Sequence, residues 1–382
     1  MQIVRRMKLT NIVVSIRFLI IVFLFCARCS VIRSIFYQEA EITDYKLFPC
    51  SDIQASQEPQ TFIDAQMNNV FDTLSFSINT KDYSLQSLLE QTKTVAFIIT
   101  KEDTLIYEKY FHGYTDTSMI LSFSMSKSFF SLLFGIAIDE GRIQSLNQLV
   151  TDYIPELTNI KYAHSLRIHH LLQMTSGLRY QEPSANPFAL HNRLYWGDAI
   201  EKQLSYLRCD IEPGHRFEYK SLDNQLLALI LSRVLHDESI SEYFERKVWR
   251  PLGSVHSARW CVDANGLEKT FCCFTARAID IVKLGKIIHG NGMVNDKAII
   301  SKQWLQSITA IDTAMASKLY YQYQWWIADD NGNEIYASGH QGQLLFVNRQ
   351  MKTVILRMGE KRIISTKDWI QVFRNLNALM DK

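Results

Sequence analysis

The 382-residue chain is long enough for one large domain or two smaller ones, and its 47% hydrophobic and 21% charged residues are typical of a globular protein. Its 41 basic and 39 acidic residues are interspersed and leave a formal net charge of only +2. The sequence has no block of Lys and Arg of the kind that follows a phosphate backbone, so we expect no nucleic-acid partner.

The N-terminus carries a short apolar stretch. Residues 12–27 follow several basic residues and are apolar except for Ser15 and Arg17. As a helix they would span roughly 24 Å, somewhat less than the ~30 Å of a hydrocarbon core. We expect residues 1–30 to be an uncleaved membrane anchor, with the rest of the chain on the extracytoplasmic side, periplasmic or outer. A cleavable signal peptide is the alternative, although no convincing A-x-A site follows the stretch.

Cysteine usage argues against a metal site. The seven cysteines do not provide the paired C-x-x-C sets of a zinc site. Cys26 and Cys29 have redox-motif spacing, but they end an apolar run, which favours cysteines packed near lipid. We therefore expect no metal.

Residues 31–76 are polar with little periodicity and are interpreted as a connector and N-terminal extension, and residues 77–382 as the main folded domain. The β-rich runs 94–100 and 105–111 predict a hairpin, and helical spacing predicts a helix over 121–138. Helical patterns follow at 166–174, 224–235 and 276–288, strand patterns at 323–327, 334–337, 343–347 and 353–357, and a last helix at about 367–380. This order predicts an α+β fold, in which an antiparallel sheet (about 77–120 and 275–382) is flanked by helices and encloses a helical subdomain at about 145–270.

One S-x-x-K motif begins the predicted helix of residues 121–138. Ser124 and Lys127 stand one helical turn apart on one face, and the free N–H groups of a helix start lie near the serine hydroxyl. A lysine crowded by apolar neighbours, here Phe129 and Phe130, can act as a base toward such a serine. The alternative is that Ser124 only caps the helix and Lys127 is a solvated side chain.

Two later segments could complete a site. Residues 212–221 form a Pro-Gly turn that leads into Tyr219-Lys-Ser221, and residues 338–343 carry His340-Gln-Gly342 at the start of a strand. Tyr336-Ala-Ser338 is a competing Tyr-x-Ser, but Tyr219 is preferred because it follows a turn and lies between the other motifs. His340 could also be an ordinary surface histidine.

In this order and spacing, the three motifs resemble the β-lactamase-like (penicillin-recognising, class C-like) serine hydrolase superfamily. There, S-x-x-K, Y-x-N or Y-x-S, and K/H-x-G line a cleft between an antiparallel sheet and a helical subdomain. Residues 171–178 are similar to the family's H-L-L-x-M-T-S-G-L segment. Residues 271–273 and 323–326 are similar to the branch that contains 6-aminohexanoate-dimer hydrolases and related esterases.

The resemblance implies a role for each motif. Ser124 would attack the substrate carbonyl, and Lys127 and Tyr219 would share the general-base and general-acid work. Backbone N–H groups of Ser124 and Gln343 would form the oxyanion hole.

Four further positions would contact substrate. They are Ser221, Trp326, His340 and Gly342, the last leaving the strand open to the substrate. His-Gln-Gly stands where penicillin-recognising members have Lys-Thr-Gly, so a permanent cation and a hydroxyl are missing.

We therefore expect a serine hydrolase that cleaves an ester or linear amide through an acyl-enzyme, without metal or organic cofactor. A D-Ala-D-Ala carboxypeptidase or β-lactamase is one alternative, and a non-catalytic ligand sensor with the same cleft is another.

Overall fold

The computed structural model describes residues 30–78, 80–182, 185–311 and 320–380. The predicted membrane anchor lies, apart from its last residue, outside these ranges. Over the described ranges, none of the helices combines the length and the apolar character needed to span a bilayer.

The described residues form strands and helices in alternating groups. The strands are β1 Cys50–Ile53, β2 Ile63–Asp64, β3 Ser75–Ile78, β4 Lys81–Ser84, β5 Thr94–Lys101, β6 Thr104–Tyr110, β7 Met119–Leu121, β8 Ala258–Cys261, β9 Phe274–Arg277, β10 Met293–Val294, β11 Lys297–Ala298, β12 Tyr321–Gln322, β13 Trp325–Ile327, β14 Glu334–Ser338, β15 Leu344–Asn348 and β16 Thr353–Gly359. The helices are α1 Ser30–Tyr37, α2 Asn68–Asp72, α3 Leu85–Gln91, α4 Met125–Asp139, α5 Ile168–Leu172, α6 Leu190–Trp196, α7 Ser221–Leu235, α8 Ile240–Phe244, α9 Ala278–Ile281, α10 Leu284–His289, α11 Lys302–Thr309 and α12 Thr366–Met380.

The central sheet has the strand order β12-β13-β14-β15-β16-β5-β6-β2 and is antiparallel except for the β2–β6 pair. Because side chains alternate along a strand, β5 and β16 send apolar residues to two separate cores. Ile98 and Leu356 belong to the core that contains α4, and Phe97 and Ile355 belong to the core that contains α12. This arrangement confirms the predicted α+β fold, and the sheet is covered by helices on both faces.

A second, four-stranded antiparallel sheet has the order β1-β8-β9-β7. It joins the N-terminal extension to the segment that leads into α4. Residues 31–76 are therefore not simply a connector: Ile42, Ile53 and Phe71 are buried, and Cys50 forms a disulfide with Cys261 of β8.

The predicted helix of residues 121–138 begins too early. Residues 119–121 are β7, paired with β9, and the helix starts at Met125. Similarly, the predicted helix of residues 276–288 is the end of β9 followed by the two short helices α9 and α10. Short strands that are largely buried show no alternation, so the sequence pattern does not distinguish an apolar strand from the start of the adjoining helix.

Candidate active site

Ser124 stands at the sharp bend between β7 and α4. Phe123 before it has a left-handed backbone, with φ of 48°, and Ser124 occupies the N-cap position of α4. Its side chain makes no capping hydrogen bond there, so the hydroxyl is not used to terminate the helix. The bend instead presents the hydroxyl to a cavity that Ser124 lines.

Lys127 is buried beside this hydroxyl. Its side chain is 1% exposed, and Nζ donates to Ser124 Oγ at 2.8 Å and to the carbonyl oxygen of Phe271 at 2.8 Å. The alternative of a solvated lysine therefore does not hold. The two hydrogen bonds direct the amine at the hydroxyl, which is the geometry of a nucleophile with an adjacent base.

Tyr219 lies on the other side of the same amine. The Lys127 Nζ is 4.9 Å from the centroid of its ring. The Tyr219 ring stacks on Trp326, and Trp326 stacks in turn on Tyr336, with centroid distances of 5.8 and 6.2 Å. Tyr219 is thus the tyrosine that the structure places against Lys127, whereas the competing Tyr336 lies beyond Trp326.

The third motif meets the first through a close backbone contact. A Cβ on Gly339 would lie 2.5 Å from the carbonyl oxygen of Ser122, so only glycine allows the two segments to approach. The rings of Phe123 and His340 then meet edge to face at 5.3 Å. Although His340 is exposed at the cavity, desolvation by the cavity wall, with a smaller contribution from Arg362, lowers its pKa.

Gly342 and Gln343 are held from behind by buried groups. Gly342 has φ of +81°, and a Cβ there would lie 2.4 Å from Nη1 of Arg357, which donates to the Gly342 carbonyl oxygen at 2.6 Å. The glycine is thus required by its backbone conformation and by this contact. The Gln343 side chain bonds both backbone groups of Gly359, at 2.6 and 2.8 Å, and its own N–H has a long 3.4 Å contact with the His340 carbonyl oxygen.

The cavity has a volume of about 1020 Å³. Ser124, Ser221 and His340 all line it, so the three motifs share one site. Trp326 is instead part of the aromatic stack with Tyr219, and Trp325 is buried.

The beta-lactamase family model matches residues 84–362, which is most of the chain. The chain belongs to the beta-lactamase family. The resemblance inferred from the three motifs is therefore confirmed, and the family is one of hydrolases.

This beta-lactamase-family chain has curated and structural relatives. It is 27% identical over 309 residues to the 6-aminohexanoate-dimer hydrolase of Paenarthrobacter ureafaciens, covering 75% of this chain and 77% of the relative. A Bacillus anthracis structure assigned as a 6-aminohexanoate-dimer hydrolase is 21% identical with a TM-score of 0.76, covering 89% of this chain and 93% of that one. A family VIII carboxylesterase is 15% identical with a TM-score of 0.58, covering 74% and 91%. Because the sequences of these two solved structures are only 21% and 15% identical to this chain, the similarity supports its fold and nothing further.

Sequence reasoning missed one wall of the site in this beta-lactamase-family chain. Residues 38–43 of the N-terminal extension line the cavity. Gln341 Nε2 donates to the Ala40 carbonyl oxygen at 2.9 Å, and Tyr195 donates to the buried Asp44 at 2.7 Å. No local pattern could have placed this segment, because its partners are 151 and 301 residues away along the chain.

Glu182 is a second feature without a sequence signal. Its carboxylate accepts both the backbone N–H and the hydroxyl of Ser221, at 2.6 and 2.8 Å. His191 also lines the cavity, with Nδ1 3.9 Å from Glu182, and burial lowers its pKa despite that carboxylate. Ser221 is a smaller polar group than the Asn of a Tyr-x-Asn motif, and the Glu182 carboxylate adds a second polar group beside it.

The described ranges contain no group of three or more His, Cys, Asp or Glu side chains arranged to hold a metal ion.

Proposed function

We propose that the protein is a serine hydrolase that cleaves an ester or linear amide bond through an acyl-enzyme on Ser124. The observation that carries the proposal is the 2.8 Å hydrogen bond between Lys127 Nζ and Ser124 Oγ at the wall of a large cavity. A serine is a weak nucleophile by itself, and a buried amine aimed at its hydroxyl is a recognised means of activating it.

In the proposed reaction, Lys127 takes the proton of Ser124 as Oγ attacks the carbonyl carbon. Tyr219 contacts the same amine and would pass a proton to the leaving group. The backbone N–H groups of Ser124 and Gln343 would stabilise the oxyanion, and a water molecule would then release the acyl group. The Gln343 N–H is available for this role because its only described contact is the long one to His340.

The chemistry of the third motif favours uncharged substrates. His340 has a lowered pKa, so it is largely neutral at pH 7.5 and offers no fixed charge to a substrate carboxylate. We therefore place β-lactamase and D-Ala-D-Ala carboxypeptidase activity second to ester or linear amide hydrolysis. A purely ligand-sensing protein would not need Lys127 directed at the serine hydroxyl.

We also propose that the catalytic domain is anchored to a membrane and faces the extracytoplasmic side. The membrane anchor is inferred from the apolar sequence of residues 12–27. Two disulfides, Cys50–Cys261 and Cys272–Cys273, support the extracytoplasmic location, because disulfides persist in oxidising environments.

Replacement of Ser124 tests the function. We expect Ser124→Ala to abolish turnover of short p-nitrophenyl esters, because no other described serine receives such a hydrogen bond from a lysine. The matched control is Ser128→Ala, one turn further along α4, whose hydroxyl bonds the Gln324 carbonyl oxygen and not Lys127. Turnover that persists in folded Ser124→Ala protein would refute the assignment.

A further inference from the structure

A disulfide joins two neighbouring residues directly beside the candidate active site. Cys272 and Cys273 are bonded to each other, and they follow Phe271, whose carbonyl oxygen accepts from Lys127 Nζ at 2.8 Å. Cys272 also lines the cavity that Ser124 lines. One of the two hydrogen bonds that hold Lys127 therefore comes from the residue adjoining this disulfide.

The segment is held tightly. The Lys269 carbonyl oxygen accepts the N–H groups of both Cys272 and Cys273, and the Cys273 carbonyl oxygen accepts the N–H of Cys261. Thr270 donates to Asn224 Oδ1 at 2.7 Å. Cys272 is 4% exposed and Cys273 is 0% exposed. Such a turn has little space in which to rearrange without disturbing Phe271.

We propose that the Cys272–Cys273 disulfide is a positioning element for Lys127, and that thiol–disulfide exchange at this pair controls the activity of the site. The proposal rests on the function proposed for Ser124 and Lys127. Two separate thiols need more space than a bonded pair, and the closely packed interior around Cys273 cannot supply it without a shift of the backbone. A shift at Cys272 moves the Phe271 carbonyl oxygen and so removes one support of Lys127.

The exchange proceeds with a dithiol as the reductant. A thiolate of the dithiol attacks Sγ of Cys272, which is the residue of the pair that lines the cavity, and the Cys272–Cys273 bond breaks as a mixed disulfide forms. The second thiol of the reductant then displaces Cys272 and leaves as a ring disulfide. The protein gains two electrons and two protons overall, and oxidised glutathione reverses the change with release of two molecules of glutathione.

The test compares oxidised and reduced full-length protein. The protein is treated with dithiothreitol and freed of reagent before assay with a p-nitrophenyl ester, and its thiols are mapped by alkylation and mass spectrometry. We expect kcat to fall by about 10- to 100-fold on reduction, as for a small displacement of a catalytic group, while KM stays unchanged. The pH dependence of kcat should also change, which a purely structural role would not cause. Oxidised glutathione should restore the activity.

Two double variants separate the two disulfides. Cys272→Ser/Cys273→Ser should have the low kcat of reduced wild type and should not respond to the dithiol. Cys50→Ala/Cys261→Ala retains the Cys272–Cys273 disulfide, and its kcat should still fall when the dithiol is added. Circular dichroism checks that each protein is folded at the assay temperature.

The outcomes distinguish this inference from the proposed function. If alkylation shows Cys272 and Cys273 reduced while kcat is unchanged, the inference is wrong and the Ser124 assignment stands. If the activity of Cys50→Ala/Cys261→Ala is unchanged by the dithiol while that of Cys272→Ser/Cys273→Ser falls, the Cys50–Cys261 disulfide controls the activity and the inference is wrong. If Ser124→Ala remains active, the proposed function fails regardless of the redox result.

Discussion

His340 is the residue that most separates this site from one built for penicillins. Its ring lies against Phe123 at the cavity wall, where desolvation lowers its pKa. Lysine at this position would supply a permanent charge for a substrate carboxylate, whereas a neutral imidazole supplies at most a hydrogen bond.

We predict that wild-type protein at pH 7.5 has a higher kcat/KM for a neutral acyl ester than for a penicillin. His340→Lys should narrow this difference, although Gln341 still lacks the hydroxyl of the Lys-Thr-Gly motif. Arg362 also lines the cavity and could bind a substrate carboxylate in place of a lysine at position 340. Arg362→Gln, made in the wild type and in His340→Lys, shows whether Arg362 contributes to penicillin hydrolysis. Equal kcat/KM toward penicillin and ester in the wild type would contradict the proposed preference for uncharged substrates.

At the scale of elements, α7 brings Ser221 to the cavity and buries Asp223 two residues further along the helix. Burial raises the pKa of Asp223 from 3.8 to about 7, although Lys220 and the hydroxyl of Ser176 oppose this. The folded state therefore holds this proton more tightly than the unfolded state. The resulting stability is fully present below pH 3.8 and is lost as the pH rises through about 7.

Asp223→Asn tests this contribution, because an amide resembles the protonated carboxyl and cannot ionise. We expect the free energy of unfolding of the wild type to decrease between pH 5 and pH 8 by about 2 kcal/mol more than that of the variant. Denaturant unfolding at both pH values measures the difference. The exposed Asp116→Asn is the control and should follow the wild type. A variant with the same pH dependence as the wild type would show that Asp223 is already ionised at low pH.

The elements also show how far the sequence could be interpreted. The S-x-x-K spacing sufficed to place Ser124 and Lys127 on one face, because residues three apart at a helix start lie side by side, whereas the Phe271 carbonyl oxygen that also holds Lys127 comes from a distant segment. The long strands and the last helix have clear periodicity, and the structure confirms them. In contrast, β7 has three residues and no periodicity, and the contact between Glu182 and Ser221 joins a loop to the start of α7. Such contacts depend on tertiary packing rather than on any local pattern.

At the scale of the whole molecule, the N-terminal extension is tied to the domain that it helps to complete. The disulfide Cys50–Cys261 spans 211 residues of chain and attaches β1 to β8. The segment before β1 forms one wall of the cavity. Closing a loop of this length restricts the unfolded chain strongly.

We predict that Cys50→Ser/Cys261→Ser lowers the free energy of unfolding by about 2–4 kcal/mol. The matched comparison is Cys272→Ser/Cys273→Ser, whose disulfide joins adjacent residues and restricts the unfolded chain far less. Chemical denaturation of the two variants under oxidising conditions gives the comparison. A larger loss in the second variant would mean that local packing, rather than loop closure, determines these effects.

The central claim, an acyl-enzyme on Ser124, is tested most directly by intact-protein mass spectrometry during turnover of a slowly deacylated p-nitrophenyl ester. The wild type should gain the mass of one acyl group, and peptide mapping should locate it on Ser124. Ser124→Ala should gain none. An acyl group on a different residue, or steady turnover of the ester with no adduct on Ser124 in rapidly quenched samples, would contradict the account.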